Sequence, residues 1–149
     1  MSFDLFIHPV EGTSPLDPEL ARVLGEVCAK HGGPSTPDQS GYHFELSDGG
    51  GVEFYAGGEE AGGMLLLRRW DVPQAAFVFD LLDRTGWLMV VPSGEPLPVL
   101  TAREMDSAPQ LVGELKHVVH VVKSEVDVLS AVEHAFAQWA GYRDQIVKG

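Results

Sequence analysis

The sequence predicts a single α+β domain built on a mostly antiparallel central sheet with about three helices. Segments with strand-like alternation or short apolar runs are interspersed with three segments of helical periodicity. Several predicted strands follow one another through short glycine-rich turns, which can join antiparallel but not parallel neighbours. A length of 149 residues with 44% apolar residues is typical of one folded domain.

The first predicted elements are a strand and a helix. Phe3 to His8 is a short apolar run that predicts a strand. Asp17 is a candidate N-cap and Pro18 suits the first helical position. Apolar residues then recur every three or four positions as far as Lys30, where His-Gly-Gly-Pro predicts the end of the helix.

A hairpin and a third strand come next. Residues 42–47 alternate between apolar and polar, and after Asp48-Gly-Gly-Gly the alternation resumes at Val52, which predicts a hairpin with one buried and one acidic face. Met64 to Trp70 follows a second glycine-rich turn and predicts a third antiparallel strand. Its Leu65-Leu66-Leu67 run lacks alternation, so we expect this strand to be covered on both faces.

The second half of the chain contains two further predicted helices. Asp71 and Pro73 open the first of them, and Gly86 supplies a left-handed stop. The segments 87–91, 97–101 and 116–123 predict strands, whereas 102–115 has no clear pattern. Ser124 and Asp127 resemble a capping box that opens the last helix, with an apolar stripe that includes Trp139.

The acidic charge is concentrated in one region. The first 63 residues hold eleven acidic residues against Arg22 and Lys30, a net charge of −9 out of −12 for the whole chain. No Lys or Arg occurs between His31 and Leu67. Such a localised imbalance favours an acidic surface with a preferred, basic protein partner, and it disfavours nucleic acid and anionic membranes.

The sequence also indicates a compartment. It shows neither a secretory signal nor a run of about 20 apolar residues, so we expect a cytoplasmic protein without a membrane span. Its single cysteine, Cys28, falls in an apolar helical stripe and is expected to be a core residue.

No catalytic or metal-binding motif is recognisable, so we expect no catalytic residue, metal ligand or cofactor. His117 and His120 are three apart in a predicted strand, where such positions point to opposite faces. One alternative stays open, namely a small enzyme or ligand-binding protein that uses the polar face of the 42–55 hairpin. There His43 and Glu45 share a face with Glu53 and Tyr55, and Arg68 or Arg69 could approach them.

The predicted partner-binding residues lie on the hairpin, the turn that follows it and the end of the third strand. Trp70 is included because it stands between Arg69 and Asp71 and could be a partly exposed anchor. The complete set is Glu45, Asp48, Glu53, Tyr55, Glu59, Glu60 and Trp70.

The opening Met-Ser-Phe-Asp-Leu-Phe-Ile resembles the first strand of several small bacterial α+β families, which include immunity proteins of polymorphic toxin and type VI secretion systems. The resemblance extends to length, acidity and element order, with Phe3 in place of the usual Tyr. It implies a cytoplasmic, non-enzymatic inhibitor that occludes a cognate toxin, and an acidic surface is what binding to a basic toxin would require.

Overall fold

The predicted α+β architecture is confirmed. The computed structural model describes residues 3–8, 18–32, 36–37, 41–46, 48–56, 63–92, 97–104 and 117–148. These residues form one eight-stranded sheet and three helices. The strands are β1 Phe3–His8, β2 Thr36–Pro37, β3 Gly41–Glu45, β4 Gly51–Ala56, β5 Gly63–Leu67, β6 Leu88–Val90, β7 Leu97–Thr101 and β8 His117–Val121, and the helices are α1 Pro18–His31, α2 Val72–Thr85 and α3 Glu125–Lys148.

The sheet is antiparallel except at one edge. Its strand order is β2-β3-β4-β5-β1-β6-β7-β8, so the first strand of the chain lies in the middle of the sheet. β3, β4 and β5 are consecutive antiparallel neighbours, as predicted. The β7–β8 pair is parallel.

All three helices pack on the same face of the sheet. The main hydrophobic core joins buried residues of α1, α2 and α3 to alternate residues of the strands, including Leu5, Phe54, Leu65 and Leu100. Because side chains alternate along a strand, the residues between them point to the opposite face. We call this opposite face, on which no described helix packs, the open face.

The ends of α2 follow local signals in the sequence. Asp71 is the N-cap, and its carboxylate accepts a hydrogen bond from the Val72 N–H at 2.8 Å. The Gln74 side chain accepts the Asp71 N–H at 2.9 Å and completes a capping box. Gly86 ends the helix with φ of 73°, a left-handed conformation that favours glycine.

The start of α3 differs slightly from the predicted capping box. The Asp127 N–H donates to Ser124 Oγ at 3.4 Å, but the Asp127 carboxylate accepts from the Lys123 N–H at 2.8 Å instead of the Ser124 N–H. Val128, Val132 and Ala135 of the predicted stripe are buried. The side chain of Trp139 lies outside the described residues.

One prediction for β5 is wrong. Leu65 and Leu67 are fully buried, but Leu66 between them is only half-buried because it lies on the open face. The lack of alternation in the sequence therefore does not mean that the strand is covered on both sides. Within the described ranges, no helix combines the length and apolar character needed to cross a membrane.

Candidate functional site

The open face carries an accessible group of side chains on the four adjacent strands β3, β4, β5 and β1. Phe6 is the most exposed large apolar residue of this group, at 40%. Glu45 is exposed, and the other members are half-buried. We define this open-face patch as Asp4, Phe6, Glu45, Glu53, Tyr55, Met64 and Leu66.

The strand register brings six of these residues, all except Glu45, together in two rows. Glu53 lies opposite Leu66, and Leu66 lies opposite Asp4 on its other side. In the second row Tyr55 lies opposite Met64, which in turn lies opposite Phe6. Directly opposite residues in an antiparallel pair have Cβ atoms roughly 5 Å apart, so each row is a continuous surface. An aromatic and apolar row is thus flanked by a row that ends in carboxylates.

The charges of the patch are partly paired. Arg68 Nη2 donates to Glu53 Oε2 at 3.2 Å, which confirms that an arginine after the third strand approaches the hairpin face. Both side chains keep some contact with solvent, so the ion pair is expected to be weak and exchangeable. His8 follows Phe6 on the same face, and burial lowers the pKa of its imidazole, which favours the neutral form.

Asp48, a predicted partner-binding residue, lies in the β3–β4 turn within an internal hydrogen-bond network. Its carboxylate accepts from the Gly50 N–H at 2.8 Å and from Gln74 Nε2 at 3.0 Å. Arg69 lies 3.5 Å from the same carboxylate. The structure therefore assigns Asp48 a role in joining the hairpin to the start of α2, at a different place from the open-face patch.

The remaining predicted residues lie away from this patch or outside the described chain. Trp70 is half-buried and packs against the main core. Its indole N–H is buried and finds no acceptor among the residues that the structure describes. Glu59 and Glu60 lie outside the described residues.

The patch has a defined limit on the β6 side. There the open-face residues Leu88, Val90 and Val99 form a second, separate buried cluster. The open-face patch therefore ends at β1.

The alternative polar site on the hairpin is only partly described. The backbone register places His43 opposite Glu53, as the predicted hairpin requires. The side chain of His43 lies outside the described part. Among the described side chains, no group of three histidine, cysteine or acidic residues is arranged to hold a metal ion.

Sequence reasoning missed Asp4, Phe6, Met64 and Leu66. The strand alternation was visible in residues 3–8, where Asp4, Phe6 and His8 alternate with Leu5 and Ile7. The sequence does not show that β1 lies beside β5, and this neighbourhood brings Phe6 next to Met64.

Comparison with known proteins identifies no relative of this chain. No protein-family model, no curated protein and no solved structure matches this chain.

Proposed function

We propose that this chain is a protein-binding module that uses the open-face patch to bind a basic surface of a partner protein. In its most specific form the proposal is an immunity-type inhibitor that neutralises a cognate bacterial toxin by covering its surface. The observation that supports it is the arrangement of all three helices on one face, which leaves an aromatic and acidic group accessible on the other.

The chemistry of the patch suits an interface. Protein interfaces are enriched in aromatic residues and methionine at their centre and are surrounded by a polar rim. Here Phe6, Tyr55 and Met64 form the apolar row, and Glu45, Glu53 and Asp4 supply the rim. An accessible phenylalanine and a tyrosine, which lie on either side of Met64 in the same row of the sheet, offer anchors that lose little conformational entropy on binding.

The charge favours a basic partner. The whole chain carries −12, and the patch contributes three carboxylates, one of which is paired with Arg68. The negative electrostatic field of the chain would steer a basic partner towards the open face. Lysine or arginine side chains of the partner could then replace Arg68 at Glu53. Inhibition by coverage requires no catalytic group, and the resemblance of residues 1–7 to immunity proteins agrees with this mode of action.

The candidate partner is the protein encoded by the neighbouring gene. Reversal of two acidic charges in the open-face patch tests the proposal. We expect Glu45→Lys/Glu53→Lys to slow association roughly tenfold or more at low ionic strength and to weaken its salt dependence, because rim charges act mainly on the on-rate. The matched control is Glu125→Lys/Glu133→Lys, which makes the same charge change on exposed positions of α3.

A second variant distinguishes the apolar contact of Phe6 from the electrostatic effect of the patch carboxylates. Phe6→Ala should leave the on-rate nearly unchanged and accelerate dissociation, as loss of an anchor does. If the neighbouring protein binds both patch variants as tightly and as fast as the parent chain, the open-face patch is not the interface.

A further inference from the structure

The two edges of the sheet differ sharply. At one edge β2 is only two residues long and contains Pro37, features that protect an edge strand from pairing. At the other edge β8 is five residues long, and its neighbour in the sheet is β7. Among the described residues, no strand pairs with the outer side of β8.

The sequence of β8 lacks the residue types that usually protect an edge strand. No Asp, Glu, Lys, Arg, Pro or Gly occurs from His117 to Val122. Val118 is 43% exposed and His120 is also exposed. A β-branched edge of this kind, without Asp, Glu, Lys or Arg, is a template for another strand.

The backbone of β8 has hydrogen-bonding groups directed outward. The Val122 N–H donates to Thr101 O in β7 at 2.8 Å. The N–H and C=O of one strand residue point to the same side, and this side alternates along the strand. Residues 118 and 120 therefore bond towards β7, whereas Val119 and Val121 present their N–H and C=O to the outside.

A cavity of about 550 Å³ lies between β8 and α3, with Val118, His120, Ala131 and His134 among its lining residues. The helix-facing side chains of β8 are therefore not fully packed against α3.

We propose that β8 is the interface through which two copies of this chain associate, by antiparallel pairing about a twofold axis at Val119. This register places Val119 opposite its own copy and Val121 opposite His117. It places the outward-facing N–H and C=O groups of His117, Val119 and Val121 opposite those of the second copy. Each of these residue pairs forms two main-chain hydrogen bonds, about six in all. The sheet would then continue from one protomer into the other.

Charge opposes the association of two copies least at this edge. Two chains with a net charge of −12 repel each other, so they approach with least cost where no acidic residue occurs. In the proposed register no charged side chains face each other within β8, because the strand has no Asp, Glu, Lys or Arg.

Apolar packing supports the same register. Val119 packs on its inner side against the open-face cluster of Leu88, Val90 and Val99. Pairing with Val119 of the second copy would extend this cluster across the axis. Val118 would lie beside His120 of the second copy on the helix-facing side, which removes an exposed valine from water.

The expected association is weak. Pairing of two five-residue strands falls at the lower end of interface sizes, below the ~1,200 Å² of stable complexes, so we expect a dissociation constant on the order of 10–100 µM.

Sedimentation velocity between about 1 and 500 µM protein, a range that brackets this affinity, tests the proposal. The parent chain should convert from monomer to dimer, and Val118→Lys should raise the dissociation constant at least about tenfold, since a lysine on an edge strand opposes pairing. Val72→Lys is the matched control because Val72 is similarly exposed, at 48%, on the remote α2, and it should dimerise like the parent. If circular dichroism shows that Val118→Lys is unfolded, His120→Lys, at an exposed position of the same strand, replaces it.

Amide hydrogen exchange tests whether β8 is the surface through which the two copies associate. The Val119 and Val121 amides should exchange at least about fivefold more slowly at high than at low protein concentration, while those of Val118 and His120, bonded to β7, should be unaffected. A parent chain that is monomeric over the whole range, or a dimer that survives in both lysine variants, would overturn the proposal. Dimerisation without protection of Val119 and Val121 would do the same.

Discussion

The side chain of Gln74, at the start of α2, donates from Nε2 to the Asp48 carboxylate in the β3–β4 turn at 3.0 Å. Gln74 is 1% exposed and also accepts the Asp71 N–H, so both ends of its amide are bonded. One buried amide therefore links a hairpin turn to a helix cap 26 residues later in the chain.

Removal of this link should destabilise the fold. We expect Asp48→Ala to lower the free energy of unfolding by ~1–3 kcal/mol, because it leaves the buried Gln74 amide and the Gly50 N–H without their acceptor. Denaturant unfolding measures the loss. A double-mutant cycle with Gln74→Ala should give a coupling energy of at least ~0.5 kcal/mol, and purely additive effects would contradict the link.

The same carboxylate should make stability depend on pH. Hydrogen bonds from Gln74 and Gly50, with Arg69 nearby, lower the pKa of Asp48. A carboxyl whose pKa is lower in the folded than in the unfolded state stabilises the protein above its unfolded pKa of ~3.9, and this contribution disappears as the pH falls through the folded pKa. The stability difference between the parent chain and Asp48→Asn should therefore shrink below about pH 4. A difference that is constant down to acid unfolding would contradict this assignment.

Asp80 forms a second pH-dependent contact, between α1 and α2. Burial opposes ionisation of this carboxyl, but His31 Nε2 at 3.0 Å and Lys30 Nζ at 3.2 Å outweigh it, and the pKa of Asp80 is lowered. Asp80→Asn should cost ~1–2 kcal/mol at neutral pH and less in acid, where the parent carboxyl becomes protonated as well. Asp83→Asn, on an exposed position of the same helix, is the control and should change stability by less than ~0.5 kcal/mol. An equal cost of Asp80→Asn at both pH values would rule out the ionic contact.

Cys28 should be unreactive in the folded protein. Its side chain is fully buried in the main core, and burial raises the pKa of the thiol to about 12. We expect iodoacetamide to label native protein at pH 8 at least about a hundredfold more slowly than protein in denaturing guanidinium chloride, because only the thiolate attacks. Equal rates would show that α1 opens readily or that Cys28 is accessible.

Trp87 should be a major contributor to stability. It is fully buried, and its ring stacks nearly parallel to Phe54 with centroids 6.1 Å apart. Trp87→Ala should lower the free energy of unfolding by ~3–5 kcal/mol, whereas Trp87→Phe, which retains an aromatic ring, should cost less. Chemical denaturation measures both, and a loss below ~1 kcal/mol for the alanine variant would contradict the core assignment.

The sequence by itself determined most of the secondary structure. Where apolar and polar residues alternate, it also determined which face of a strand is turned to the core, but it did not do so for Leu66 in β5. Asp71 and Gly86 mark the two ends of α2, and alternation in residues 51–56 separates buried Val52 and Phe54 from Glu53 and Tyr55. These signals are local, since caps, turns and periodicity depend on residues within a few positions of each other. The acidic imbalance before residue 64 is also a property of the sequence alone.

Apart from the consecutive strands β3, β4 and β5, only the tertiary structure decided which elements are neighbours. Periodicity shows that Phe6 faces away from the core, but not that β1 lies between β5 and β6, and this position puts Phe6 beside Met64. Likewise the sequence shows an acidic turn and indicates that Arg68 or Arg69 could approach Glu53, but it does not show that Asp48 is held by Gln74 or that Arg68 is the arginine that pairs with Glu53. Strand pairing and side-chain contacts depend on which surfaces can be buried together over long sequence distances, and no local pattern encodes that choice.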